Sequence, residues 1–342
     1  MATPARQLVE SDSWLERVGP SFERSLLREE LSPQTVRSYM IGIKNLFAFL
    51  HDQGVEDLVQ LDRDLLERWQ DSMRERVPPL RAGSRSLYAT AVRRLIGFAA
   101  DRDIVDWKLE RAIKGVRQRR RDSEHVRQPI PPADLELLKA YLGPRRARMT
   151  LIDLRDRALF FVLYTTGLRV SEALQMPREG YESCRVRQKG GSYIDIFVPP
   201  TVTLYVADYL HARRDDLPLL WVALGNNTNA IRPLQDSGVR EVWRRLCRQL
   251  GIEYFTTHQL RHTCATELRA AGVSEQGQAD WLHHADTRTV HKYAKDRGGE
   301  MRQQTLGVME DIVRRGARSA SMAPEMLQRR ARPGGRARFG LR

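Results

Sequence analysis

Residues 115–133, GVRQRRRDSEHVRQPIPPA, hold a run of arginines and three prolines and have little apolar content. Such a stretch cannot join a hydrophobic core, so it reads as a linker between two separately folded parts. A chain of 342 residues has room for about two domains, and a hydrophobic fraction of 41% suffices to fill both. Before the linker the sequence reads as helical throughout. Ser32-Pro33 has the form of an N-cap followed by proline at the first helical position. Val36, Tyr39, Met40, Ile43, Phe47 and Leu50 then recur at three- and four-residue steps, and Gly54 is placed to end that helix. A shorter helix is expected over Leu65 to Met73, a break at Pro78-Pro79, and a further helix capped by Ser84 with Leu87, Ala91, Leu95 and Phe98 on one face.

After the linker the pattern mixes. Leu135, Leu138 and Leu142 predict a helix, and DLRDRALFFVLYTTGLRVSEALQM predicts another that turns at Gly167 into a further helix. Arg185 to Gln188 and Tyr193 to Val198 are β-formers on either side of Lys189-Gly190-Gly191, a hairpin signal ended by Pro199-Pro200. Helices are expected again over Thr201 to Arg213, Gln235 to Leu250, His258 to Ala270 and Ser274 to His283. The expected class is mainly α with a small β-sheet or hairpin in the second part. Leu306, Met309, Ile312 and Val313 form an apolar stripe on a short helix, to be covered either by its own domain or by a neighbouring protomer. The arginine-rich remainder has Glu325 as its one acidic residue and reads as flexible.

Lysine and arginine number 57 against 43 aspartates and glutamates, a net charge of +14. An excess of that size calls for a polyanionic partner, with nucleic acid ahead of an acidic membrane surface. No apolar run approaches the roughly 18 residues that span a bilayer, and Met1 to Ser13 lacks the apolar core of a signal peptide. Cys184, Cys247 and Cys264 are far apart and lack metal-site spacing, which fits reduced thiols in a cytoplasm. Arg93 and Arg94 beside the helical face, and Arg117, Arg119 and Arg120 in the linker, are candidates for phosphate contact; solvated linker charge is the plainer reading of the linker run.

Cutting a phosphodiester without a metal needs cations on the non-bridging oxygens, a nucleophile, and acid and base groups for the two reacting oxygens. Arginine suits the first task, because its planar fork pairs two phosphate oxygens and stays charged. Arg169 lies in TGLRVSEAL and Arg261 in HQLRHTCATEL, with His258 one helical turn before Arg261 and therefore on its face. Glu172 follows Arg169 by three residues on the same face, where a simple intrahelical ion pair can form. A zinc reading also exists: His258 and His262 stand at i and i+4, with Cys264 and His283 as conceivable further ligands. It is weak, because Gln259 occupies the place where HExxH has its glutamate.

Taken in order, Arg169, Lys189, His258, Arg261, His284 and Tyr293 resemble the signature of the tyrosine recombinase (phage integrase) family. The strings that carry it are TGLRVSEAL, RQKGGSYIDIFVPP, HQLRHTCATEL and LHHADTRTVHKY, and the resemblance spans roughly residues 12 to 315. Two positions depart from the family pattern: His283 and Gln188 each stand where glycine is usual. The resemblance implies a two-domain DNA clamp. Residues 12–114 would form a helical core-binding domain of SAM-like type, 115–132 a basic linker, 133–315 an α+β catalytic domain, and 316–342 a flexible tail. It implies a site-specific recombinase that forms a 3′-phosphotyrosyl bond through Tyr293, with Glu172 buttressing the active site and with no metal and no nucleotide cofactor. The partner would be double-stranded DNA bearing a specific site, bound by a homotetramer, with accessory proteins as an option. A catalytically silent DNA-binding factor and a type IB topoisomerase-like relaxer are the competing expectations.

Overall fold

A computed structural model describes residues 14–55, 60–114, 128–143, 148–188, 191–224, 231–283 and 297–320. The chain divides into two compact units, Met1–Val126 and Arg127–Arg342. The first contains α1 (Trp14–Arg28), α2 (Pro33–Asp52), α3 (Arg63–Glu75), α4 (Ala82–Ala100) and α5 (Trp107–Lys114). The Ser32 side chain accepts from Thr35 N at 3.2 Å and caps α2, as the Ser-Pro pair predicts. Val36, Ile43, Leu46 and Leu50 of α2 are buried with Phe22, Leu26, Trp69, Leu95 and Ile96 of the other helices. α2 and α4 approach closely at Gly42, where a Cβ would lie 2.9 Å from the Tyr88 Cα. Ser84 does not cap α4: the helix starts two residues earlier, and the amides of Ser84 and Arg85 both bond to the Arg81 carbonyl.

The second unit is built around α7 (Leu151–Thr166), preceded by α6 (Pro132–Leu142). From Leu154 to Thr166 every residue of α7 is buried, so the helix is a central element rather than an amphipathic surface one. Thr150 and Asp153 cap its start reciprocally, and Gly167 ends it with φ +61°. The single-turn helix α8 (Val170–Ala173) follows, then strands β1 (Ser183–Arg187) and β2 (Tyr193–Phe197). These strands pair antiparallel, with Val186 opposite Ile194 and Cys184 opposite Ile196, as the hairpin signal implies. Val186 and Ile196 turn inward to the core. Next come α9 (Pro200–Ala212), a second hairpin of β3 (Val222–Leu224) and β4 (Ile231–Pro233), α10 (Asp236–Leu250), α11 (Thr257–Ala270), α12 (Glu275–Trp281) and α13 (Arg297–Ala320). The fold is mainly helical with small antiparallel sheets, the class that the sequence predicts.

The stripe on α13 is covered within its own unit. Met309 and Val313 are buried; Met309 lies with Cys264, Leu268, Trp281 and Leu282, and Ile312 packs beside it. The alternative of a stripe left open for a neighbour is therefore corrected. α13 also continues to Ala320, past the expected start of a flexible tail at residue 316. No helix among the described residues is long and apolar enough to cross a membrane.

Candidate active site

Three of the expected residues converge where α7, α8 and α11 meet. Gly167 has to be glycine for two reasons: its φ is positive, and a Cβ there would come 2.4 Å from Leu282 Cδ2. The turn delivers Arg169 to the start of α8. Arg169 Nη1 donates to Glu172 Oε1 at 2.8 Å, and its backbone amide donates to Glu172 Oε2 at 2.8 Å. Glu172 is 1% exposed, whereas the Arg169 side chain is 39% exposed. The carboxylate thus anchors the guanidinium from below and leaves its outer edge to solvent.

Arg261 comes from α11, whose start is capped reciprocally by Thr256 and Gln259. Gln259, which spoils the zinc motif, therefore serves to begin this helix. Arg261 is buried; its Nη1 donates to Gly167 O at 2.5 Å and its Nη2 to Leu282 O. Burial, together with the nearby Arg169 guanidinium, lowers its pKa below the ordinary arginine value, and Glu172 opposes that shift. Two cations thus face one carboxylate, and the uncompensated charge suits a phosphate. His258 lies exposed at the first turn of α11. His262 Nδ1 is buried with no hydrogen-bond partner among the described residues, and no group of three potential metal ligands occurs there.

Lys189, His284 and Tyr293 lie outside the described residues, as do Arg117, Arg119 and Arg120. The segments that lead to two of them are described. Gln188 closes the hairpin through its backbone amide to Ser192 O at 2.8 Å, and its side-chain Nε2 donates to His283 O at 3.2 Å. His283 has φ +52° and lines a small cleft with Thr166, Ile196, Phe197, Trp281 and Arg302. Burial lowers its pKa to about 4, helped by Arg302. The positive φ explains why glycine is the usual residue there. In the first unit, Arg94 pairs with Glu29 beside the Tyr39 ring, and Arg93 Nε donates to Ala89 O at 3.2 Å. Part of the charge expected to reach a phosphate is thus held within the helical unit.

Two family models match the chain. The phage integrase family covers residues 145–299, and the phage integrase N-terminal SAM-like domain covers 21–103. The chain is 32% identical over 278 residues to the tyrosine recombinase XerC of Rhodospirillum centenum, covering 77% of each protein. It is 26% identical to the tyrosine recombinase XerD of Mycobacterium leprae, covering 78% of this chain and 88% of that one. Among solved structures, the XerH site-specific recombinase bound to its palindromic difH substrate has a similar fold. The TM-score is 0.60 at 14% identity, with 91% of this chain and 84% of that one covered. The Tn1549 transposon integrase in complex with circular intermediate DNA gives a TM-score of 0.56 at 15% identity, with 84% of this chain and 94% of that one covered. Family models on both units, and a relative of this identity matched over most of its length, establish that the chain belongs to the phage integrase family and is a tyrosine-type site-specific DNA recombinase.

Proposed function

We propose that this recombinase cuts and rejoins duplex DNA by attack of the Tyr293 phenolic oxygen on a backbone phosphate held by Arg169 and Arg261. The observation that carries this reading is the convergence of two guanidinium groups distant in sequence: Arg169 is held by the buried Glu172 carboxylate, and Arg261 by the carbonyl of Gly167, two residues before Arg169. In the proposed roles His258 takes the phenolic proton, Lys189 gives a proton to the departing 5′-oxygen, and His284 donates a hydrogen bond to a non-bridging oxygen. The bond from phosphorus to the 5′-oxygen breaks as the 3′-phosphotyrosyl bond forms, and the hydroxyl of a partner strand reverses the step. A tyrosine of pKa about 10 is ionised to only about one part in a thousand at pH 7, so it needs both a base and a cationic pocket. The phosphodiester energy is kept in the protein–DNA bond, so no nucleotide is consumed and the residues named supply the charge without a metal.

The reading extends to the whole chain. Residues 12–114 would contact the duplex as a core-binding domain and 133–315 as the catalytic domain, with 115–132 as a basic linker between them in sequence. Exchange between two duplexes requires four active sites, hence a homotetramer on DNA acting in a cytoplasm. The XerH and Tn1549 structures, determined with DNA, support that reading of the partner.

The test is capture of covalent complexes on fragmented genomic DNA of the host, with excess chelator and no nucleotide, followed by denaturation and sequencing of the attached ends. Protein-linked ends should map to one recurring sequence, and Arg169→Ala and Arg261→Ala should each reduce capture by a factor of about a hundred or more. Ends scattered without a common sequence would favour a DNA relaxer, and no covalent DNA would favour a silent binding factor.

A further inference from the structure

The two positions that depart from the family pattern touch each other. Gln188 precedes Lys189 in sequence, and His283 precedes His284; the Gln188 amide nitrogen donates to the His283 carbonyl at 3.2 Å. The other end of the same amide is fixed, because Ser192 Oγ donates to Gln188 Oε1 at 3.3 Å. The side chain is therefore oriented with its nitrogen toward His283. The neighbouring carbonyl, Leu282 O, accepts from Arg261 Nη2. Two consecutive carbonyls of one turn thus hold a candidate phosphate-binding arginine and the base of the hairpin tip. Further along β1, Gln175 brackets Arg187, donating to its carbonyl at 3.1 Å and accepting from its amide at 3.3 Å.

A glycine at position 188 could make neither side-chain bond. A two-stranded hairpin is only marginally rigid by itself, and a lysine that acts as proton donor must lose side-chain entropy to meet one oxygen. The geometry points to Gln188 as a positioning residue: it ties the end of the hairpin strand, one residue before the proton donor in sequence, to the 282–283 turn that also holds the Arg261 fork. This inference rests on Lys189 being the donor to the leaving 5′-oxygen. Gln188 itself need touch no reacting atom.

The test uses a nicked duplex of the sequence recovered by covalent capture, in two forms. One has the ordinary scissile phosphate, and the other has sulfur in place of the bridging 5′-oxygen. A thiolate, with a pKa near 8.5 for its acid, leaves without a proton. Gln188→Ala and Gln188→Met, the latter of similar length but lacking the donor, should slow cleavage of the phosphate form roughly tenfold, the rate equivalent of one hydrogen bond. Both should cleave the sulfur form at the parent rate, with DNA affinity and melting temperature unchanged. Equal slowing on both duplexes, or slowing on neither, overturns the tether. Lys189→Ala run alongside separates the two claims. If it does not recover on the sulfur form, the proton-donor role fails and the tether with it; if it recovers while the Gln188 variants do not, only the tether fails.

Discussion

His283 combines two unfavourable features: a left-handed backbone that suits glycine, and a partly buried imidazole near the cations Arg302 and Arg261. A non-glycine residue in that region costs roughly 1–3 kcal/mol. Its pKa, lowered by burial to about 4, also sets a pH dependence. The unfolded imidazole binds a proton near pH 6.5 and the folded one does not. This contribution to stability is therefore complete above about 6.5 and is lost as the pH falls toward 4, with a slope of up to about 1.4 kcal/mol per pH unit. Glu172 and Asp195 face the ring as well and moderate the effect. In His283→Gly the backbone is relaxed and the titration is gone. Denaturant unfolding at pH 7, 6 and 5 should show a shallower loss of stability for that variant than for the parent; parallel curves would rule out a buried neutral His283.

At the scale of elements, α13 serves α9. Pro199 has no side chain able to cap α9, and the glutamate that does the work comes from more than a hundred residues further on. Glu310 Oε2 accepts from Thr201 N at 2.9 Å, its Oε1 accepts from the Thr201 hydroxyl, and Arg314 Nε donates to the same oxygen at 2.7 Å. A buried negative charge at a helix N-terminus also complements the helix dipole. Glu310→Ala should lower unfolding stability by about 1–2 kcal/mol. Removing residues 304–342 should do more, exposing Leu268, Trp281 and Leu282 and destabilising the second unit rather than only weakening assembly between protomers. An unchanged melting temperature in either variant would show that α13 is not part of this unit's core.

The same elements show what the sequence carries. The start of α2 was legible because Ser32 and Pro33 are local chemistry, and so was the turn at Gly167, which needs a positive φ. The β1–β2 hairpin was legible from its β-formers around two glycines. The β3–β4 hairpin was not: strands of three residues are too short for an alternating pattern to emerge. Ser84 misled because a good capping residue placed three residues into a helix looks the same in sequence as one at its start. Of the candidate site, the motif order pointed to Arg169 and Arg261, and the three-residue step after Arg169 pointed to Glu172. It could not give the Gly167 and Leu282 carbonyls that hold Arg261, or the Gln188 bond to His283, since these depend on backbone brought together from distant segments.

For the whole molecule, a net charge of +14 sets the expected response to salt. Each phosphate neutralised releases counterions and steepens the fall of log affinity against log salt by about 0.9. If both units contact the backbone, affinity for a duplex should drop by about a thousandfold or more between 50 and 200 mM salt. The isolated helical unit should show a shallower slope; equal slopes for the unit and the full chain would argue against contact by both.

In the proposed reaction the phenolic oxygen of Tyr293 forms the protein–DNA bond. Proteolysis of the captured complex, followed by mass spectrometry of the peptide left on the DNA, tests it directly. The expected peptide contains Tyr293 with a nucleotide 3′-phosphate on its phenolic oxygen. The same mass added to a peptide bearing any other tyrosine, or to a serine, would contradict the assignment.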